Sequence, residues 1–189
     1  MLRADYSFRG IRATIYKKRG YMIQHTILAA FFAVATLAAA PVKVNLKDAM
    51  GKPVGTATIT EAKKGGVLVH LKLQGLPVGE HAAHIHAVAK CDGPDFASAG
   101  GHFNPEMKKH GLDSEFGPHA GDMPNFTVAG KKGKADATLV NTRVTLDNGP
   151  HSVFTNGGTA LMIHAQKDDM HTDPTGNAGA RIACGTITK

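Results

Sequence analysis

The stretch GEHAAHIHAVAKCDGPDFASAGGHFNPEMKKHGLDSEFGPHAGD, Gly79 to Asp122, decides how this chain is to be read. It holds six of the eleven histidines and one of the two cysteines, with almost no continuous apolar run. Burial alone cannot order such a segment, and its side chains point to metal. His84-Ile85-His86 reads as strand, where side chains alternate faces with period two. His84 and His86 therefore share a face on which two imidazoles can share an ion, while Ile85 turns the other way and can fill a core. His81 has the opposite parity and is expected to stay apart. His102, His110, His119 and Asp122 follow in a Gly/Pro-punctuated loop, spaced H-x7-H-x8-H-x2-D. Three imidazoles and one carboxylate make a closed set that suits tetrahedral zinc. A long loop without secondary structure is usually functional or disordered, and a bound ion is a physical reason for order.

On either side of this stretch the pattern is short strands and turn chemistry. Val42–Leu46 alternates, Ala49–Pro53 breaks it, and Thr56–Thr60 is rich in β-branched residues. Val67–Leu73 follows a Lys63-Lys64-Gly65-Gly66 turn, with His70 read as structural. Further strands are expected at 84–87, 126–129, 135–140, 144–145, 160–164 and 181–187, with 147–158 and 165–180 as loops and His151 on the surface. This rhythm without helices predicts an antiparallel sandwich or barrel.

The amino terminus reads differently. Arg12, Lys17, Lys18 and Arg19 precede an apolar run of 14 residues, Ile27 to Ala40, that is too short to span a bilayer and ends in small residues. Residues 1–40 are expected to be a signal peptide, cleaved after Ala38 or Ala40, with Met1 or Met22 as the start. The domain is then 41–189, exported to the periplasm and free of the membrane once the signal is removed. Residues 1–40 carry six of the 22 Lys/Arg and one of the 15 Asp/Glu, so the remainder nets only +2. With no basic stripe interleaved with aromatics, no nucleic-acid partner is expected.

His84-x-His86, SAGGHFNP at 98–105, KKHG at 108–111, GPHAGDMPN at 117–125 and GNAGARIACG at 176–185 together resemble copper-zinc superoxide dismutase, in that family's order and from Val42 to Lys189. The resemblance implies an all-β, eight-stranded antiparallel Greek-key β-barrel or sandwich with two long functional loops, an architecture this family shares with other sandwich proteins. It implies one copper held by His84, His86, His102 and His164, and one zinc held by His102, His110, His119 and Asp122. Ligand count alone would also permit zinc in both sites. The implied reaction turns superoxide into O2 and H2O2 by alternating Cu(II) and Cu(I), with His102 delivering a proton. Asp168 is implied to bridge His84 and His110 through their free N–H groups, Asp169 being read as solvated. Arg181 is implied to be the guanidinium beside copper, suited to a small anion.

Two cysteines in an exported chain suggest a disulfide, Cys91–Cys184. A thiolate metal site is the alternative, disfavoured because His and Asp fill the ligand places. Lys108, Lys109 and Lys167 are candidate contributors to substrate steering, for which this enzyme type is itself known. Ala82-Ala83 stands where the family usually has Gly-Phe, so a local readjustment is expected there. A copper-delivery protein or a redox-silent metalloprotein are the rival readings. The former usually loses copper-site residues or gains a cysteine-based domain, and the intact set with Arg181 weighs against the latter. Monomer and homodimer remain equally open.

Overall fold

The structure is a computed structural model that describes residues 39–189; the expected signal peptide lies almost wholly outside the described residues. Among the described residues there are nine strands: β1 Val42–Asp48, β2 Pro53–Glu61, β3 Val67–Leu73, β4 Gly79–His81, β5 Ala83–His86, β6 Phe126–Val128, β7 Ala135–Asn141, β8 Thr159–His164 and β9 Arg181–Ile187. Seven form one antiparallel sheet in the order β5-β8-β9-β1-β2-β3-β7, and β4 pairs with β6. β4 runs into β5 through Ala82 alone, and β6 turns into β7 through the Ala129–Lys134 bridge. The short pair therefore lies between the two ends of the curled sheet. Neighbours that are distant in sequence, β5–β8, β9–β1 and β3–β7, are the Greek-key crossovers.

The resemblance implied eight strands, and the break at Ala82, which separates β4 from β5, accounts for the ninth. The Ala82 N–H donates to the Gln166 carbonyl at 2.8 Å and its carbonyl accepts from His164 N–H at 3.0 Å, so the ladder breaks there and the strand changes partners. Both Ala82 and Ala83 are fully buried, and neither has a positive φ. The three-residue β4 shows no alternation that would have revealed it. The expected strand at Val144-Thr145 is only a single bridge, Thr145 to Ser152.

Burial follows the pleat. Val44 and Leu46 of β1, and Val67, Val69, Leu71 and Leu73 of β3, enter the main core while their neighbours face out. β8 is buried on both faces. Leu161 and Ile163 enter the main core, whereas Ala160 and Met162 join Cys91, Phe96, Ala99 and Cys184 in a second cluster on the outer face. The start of the long loop covers that face and is bonded to it: Cys91 and Cys184 form a disulfide across 93 positions.

Closing so long a loop in the unfolded chain is worth about 4–5 kcal/mol by the chain-entropy argument. Replacing both cysteines by serine should lower unfolding stability by about that much, measured by urea denaturation against the oxidised protein. A loss under about 1 kcal/mol would show that other contacts already pin the loop.

Candidate metal centre

Register places the histidines. His84 lies opposite Met162 and His86 opposite Ala160, so both project onto the outer face, while Ile85 opposite Leu161 enters the core. His164 has the parity of Met162 and Ala160 and ends β8 on that same face. The loop brings His102 beside His86 through a backbone bridge, and Asp122 beside His84 through another. Gly121 makes this approach possible: its N–H and carbonyl bond Phe103 and Ile85, at 2.8 and 2.9 Å. A Cβ there would overlap the Ile85 carbonyl.

Two clusters result. His84, His86, His102 and His164 each offer one atom within 4.8 Å of the others, and so do His102, His110, His119 and Asp122. All seven residues are buried. Five ring nitrogens are buried without a hydrogen-bond partner: Nδ1 of His84 and His110, and Nε2 of His86, His102 and His164. Buried polar atoms are normally satisfied, so this convergence fits metal coordination, which imidazole nitrogen supplies for both copper and zinc. The opposite nitrogens are fixed. His84 Nε2 meets Asp168 Oδ2 at 2.8 Å, His86 Nδ1 meets the Gly100 carbonyl at 2.9 Å, and His164 Nδ1 meets the Gly179 carbonyl at 3.3 Å.

Electrostatics divides the clusters. Burial, then His102, pushes His86 down to about 2. Burial likewise takes His164 to about 3, helped by His84, and His102 to about 4 against the pull of Asp122. These imidazoles are neutral at neutral pH, as ligands must be. His110 goes the other way: burial opposes its charge, but Asp122 and Asp168 raise it to about 9. Burial also opposes ionisation of Asp122, yet the rings of His102, His110 and His119, whose Nδ1 atoms lie 2.8, 3.2 and 3.3 Å from its Oδ1, hold its carboxyl far below the usual range.

Asp168 lies between His84 and His110, with Oδ2 2.8 Å from His84 Nε2 and Oδ1 3.0 Å from His110 Nε2. Gly176, at φ 64°, leaves room for it; a Cβ would collide with this carboxylate and with the His110 ring. Sequence reasoning missed several supports. Asn125 grips the Asp168 peptide from both sides, at 2.8 and 2.9 Å. Asp173 accepts His110 N–H at 2.8 Å and Lys109 Nζ at 2.9 Å, joining the two loops. His81 is buried apart from the clusters, as its parity predicts. Its ring meets the His164 carbonyl at 2.8 Å and the Pro77 carbonyl at 2.9 Å, so it supports the backbone of a cluster member. No local motif marks these residues; only the fold unites them.

Two expectations need correction. Asp169 is not merely solvated: it accepts from His171 N, Thr172 N and Oγ1, and Asn177 Nδ2, and so orders the second loop. His151 is half-buried, 3.0 Å from the Arg143 carbonyl and 3.6 Å from Glu106. The candidate steering lysines are also paired: Lys108 with Glu106 at 2.7 Å, Lys109 with Asp173 at 2.9 Å and Lys167 with Glu80 at 3.9 Å. Arg181 instead donates Nη1 to the Phe96 carbonyl at 2.7 Å and Nη2 to the Gly100 carbonyl at 2.8 Å. It lines a cavity of about 520 Å³ with Asp95, Ala97 and Gly179. Burial lowers the pKa of Arg181 and Asp95 partly offsets this.

Residues 54–187 match the family model described as copper/zinc superoxide dismutase (SODC). The chain is 48% identical over 145 residues to Cu-Zn superoxide dismutase 1 of Aquifex aeolicus, covering 76% of this chain and 85% of that protein. It superimposes on the crystal structure of a SOD-like protein from Bacillus subtilis with a TM-score of 0.74 at 39% identity, covering 78% of this chain and 99% of the other. For the Cu/Zn superoxide dismutase from Brucella abortus the TM-score is 0.63 at 31% identity, with 78% and 99% covered. These likenesses span the same strands and loops that build the two clusters, and the chain belongs to the copper/zinc superoxide dismutase family.

Proposed function

We propose that His84, His86, His102 and His164 hold one copper, that His102, His110, His119 and Asp122 hold one zinc, and that this centre dismutates superoxide in an exported compartment. Superoxide dismutation is the family's function, which makes the chain an oxidoreductase of a family that binds both metals. The observation that carries the assignment is the convergence of five unpartnered, buried ring nitrogens on two clusters that share His102. Bound copper supplies one-electron chemistry, Cu(II) and Cu(I) alternating while two superoxide ions and two protons become O2 and H2O2.

The chain's own residues do the rest. Asp168 fixes the ring orientations of His84 and His110, one on each side of the centre. His102 Nε2, on the copper side, is the atom at which a proton is held and delivered. Arg181, tethered by two carbonyls, keeps its remaining N–H donors for a small anion in the adjoining cavity. The zinc side orders the loop that carries four of the seven ligands.

His164→Ala should abolish copper binding and activity while zinc is retained, read by metal analysis and a superoxide-consumption assay. Equal loss of both metals would overturn the division of ligands.

Export is supported by the disulfide, which belongs to an oxidising compartment. Among the described residues no helix is long and apolar enough to cross a membrane. Ala39 packs against the main core, which favours cleavage after Ala38 in the proposed signal peptide. Intact-mass analysis of the periplasmic protein should give a chain starting at Ala39, two hydrogens lighter than its reduced form; retention of residues 1–40 would refute export by this segment.

With the three lysines paired, the field that draws superoxide in is local to Arg181. Charges at such a surface are screened over about 8 Å at physiological salt, so raising ionic strength should slow the bimolecular reaction. Arg181→Glu should slow it further and flatten or reverse that dependence with both metals bound. Wild-type indifference to salt, matched by the variant, would remove the steering role.

A further inference from the structure

The turn His119–Asp122 supplies two members of the second cluster, yet it belongs to no strand. What fixes it comes from the barrel. Asn141, the last residue of β7, is fully buried. Its Nδ2 donates to the Ala120 carbonyl at 2.8 Å and lies 3.4 Å from the Asp122 carbonyl, and its Oδ1 accepts from Arg143 N–H at 2.8 Å. Arg143 donates Nε to the His119 carbonyl at 3.2 Å and Nη2 to the Asp122 carbonyl. Two side chains at the end of one strand thus take the carbonyls of His119, Ala120 and Asp122. The N–H side of the same turn faces the cluster: His119 N–H donates to Asp122 Oδ2 at 2.9 Å, and Gly111 N–H, from earlier in the loop, donates to the same oxygen at 3.0 Å.

The turn's peptide dipoles are therefore held at both ends, with N–H groups on the carboxylate and carbonyls on the amide and guanidinium. The carbonyls are directed away from the ion position, which leaves the side chains to form the ligand set. Arg143 is itself tied down, since its carbonyl meets His151 Nδ1 at 3.0 Å, and the other His151 nitrogen is 3.6 Å from Glu106 on the metal loop.

We propose that Asn141 and Arg143 are positioning residues for the zinc half of the centre: they hold the His119–Asp122 turn in ligand geometry before an ion arrives, and thereby set zinc affinity. This rests on the assignment of zinc to His102, His110, His119 and Asp122. A site whose ligands are already placed spends less of its binding free energy on ordering them, and partners one step removed from a metal typically change its affinity about 10–100-fold.

The test uses mature, metal-free protein carrying Arg143→Met, which keeps side-chain length but loses every donor, and Arg143→Lys, which keeps charge but not the fork. Zinc affinity is measured by chelator competition, cobalt(II) is used as a coloured probe of zinc-site geometry, and thermal melting of the metal-free form is followed in parallel. The expected result is about 10-fold or greater loss of zinc affinity in Arg143→Met with an altered cobalt(II) spectrum, and a smaller loss in Arg143→Lys. If Arg143→Met does not fold, the lysine variant carries the test alone, with an expected loss of about threefold or more and the same spectral change. Zinc affinity and cobalt(II) spectrum within twofold of wild type would overturn the proposal, even with a lowered melting temperature, because the contacts would then serve stability only. His119→Ala in the same assay separates the two claims: unchanged zinc affinity there would remove the ligand assignment itself, whatever Arg143 does.

Discussion

His102 can serve two clusters only if each ring nitrogen is presented to one of them, and the centre is organised around that constraint. Its Nδ1 lies 2.8 Å from Asp122 Oδ1, while its Nε2 is buried without a partner among the other three histidines. A ring that must satisfy both sides cannot be allowed to turn, so its neighbours are fixed as well. The Gly100 and Gly179 carbonyls and Asp168 each engage one nitrogen of a cluster histidine, which determines the nitrogen that faces inward. Burial keeps His86, His102 and His164 neutral, while the two buried carboxylates place negative charge within the second cluster at Asp122 and between the clusters at Asp168.

Such a site cannot be built from strands alone. β5 and β8 supply three histidines on one face of the sheet because their parity demands it. The other four cluster residues sit on a loop that makes few ladder hydrogen bonds. It is held by separate ties, each of a different kind: a disulfide at its start, the Asp168 and Asp173 contacts from the second loop, and the Asn141–Arg143 contacts from β7. A buried carboxylate without partners would be costly, and Asp122 and Asp168 avoid that cost by accepting from several donors each.

The cluster residues were legible in the sequence because their chemistry is scarce. Histidines on one face of a strand, and a spaced His/His/His/Asp set in a Gly/Pro-rich loop, have few other physical explanations, and the resemblance fixed their grouping. Strand positions were legible where alternation is clean, as in β3. They failed at Gly79–His81, which is too short to alternate, and at Val144-Thr145, where apolar residues pack without forming a ladder. The supports were not legible at all. Asn125, Asn141, Arg143 and Asp173 are common polar residues whose roles come from partners as much as 64 positions away. Asp169 binds within its own loop, where an acid among polar residues carries no pattern that separates it from a solvated one.

The approach of substrate follows from the same geometry. The Gly100 carbonyl accepts from both His86 Nδ1 and Arg181 Nη2, at 2.9 and 2.8 Å. One peptide group therefore positions a metal-facing imidazole and the guanidinium that would meet the anion. Long lysine side chains in exposed ion pairs gain little and shift readily, whereas an arginine tethered at two carbonyls keeps its charge at a fixed place. A net charge of +2 on the part after residue 40 gives no strong global field. Guidance must come from where the charge is held rather than from how much there is, and in this fold the Gly100 carbonyl that aligns His86 of the first cluster also sets that position.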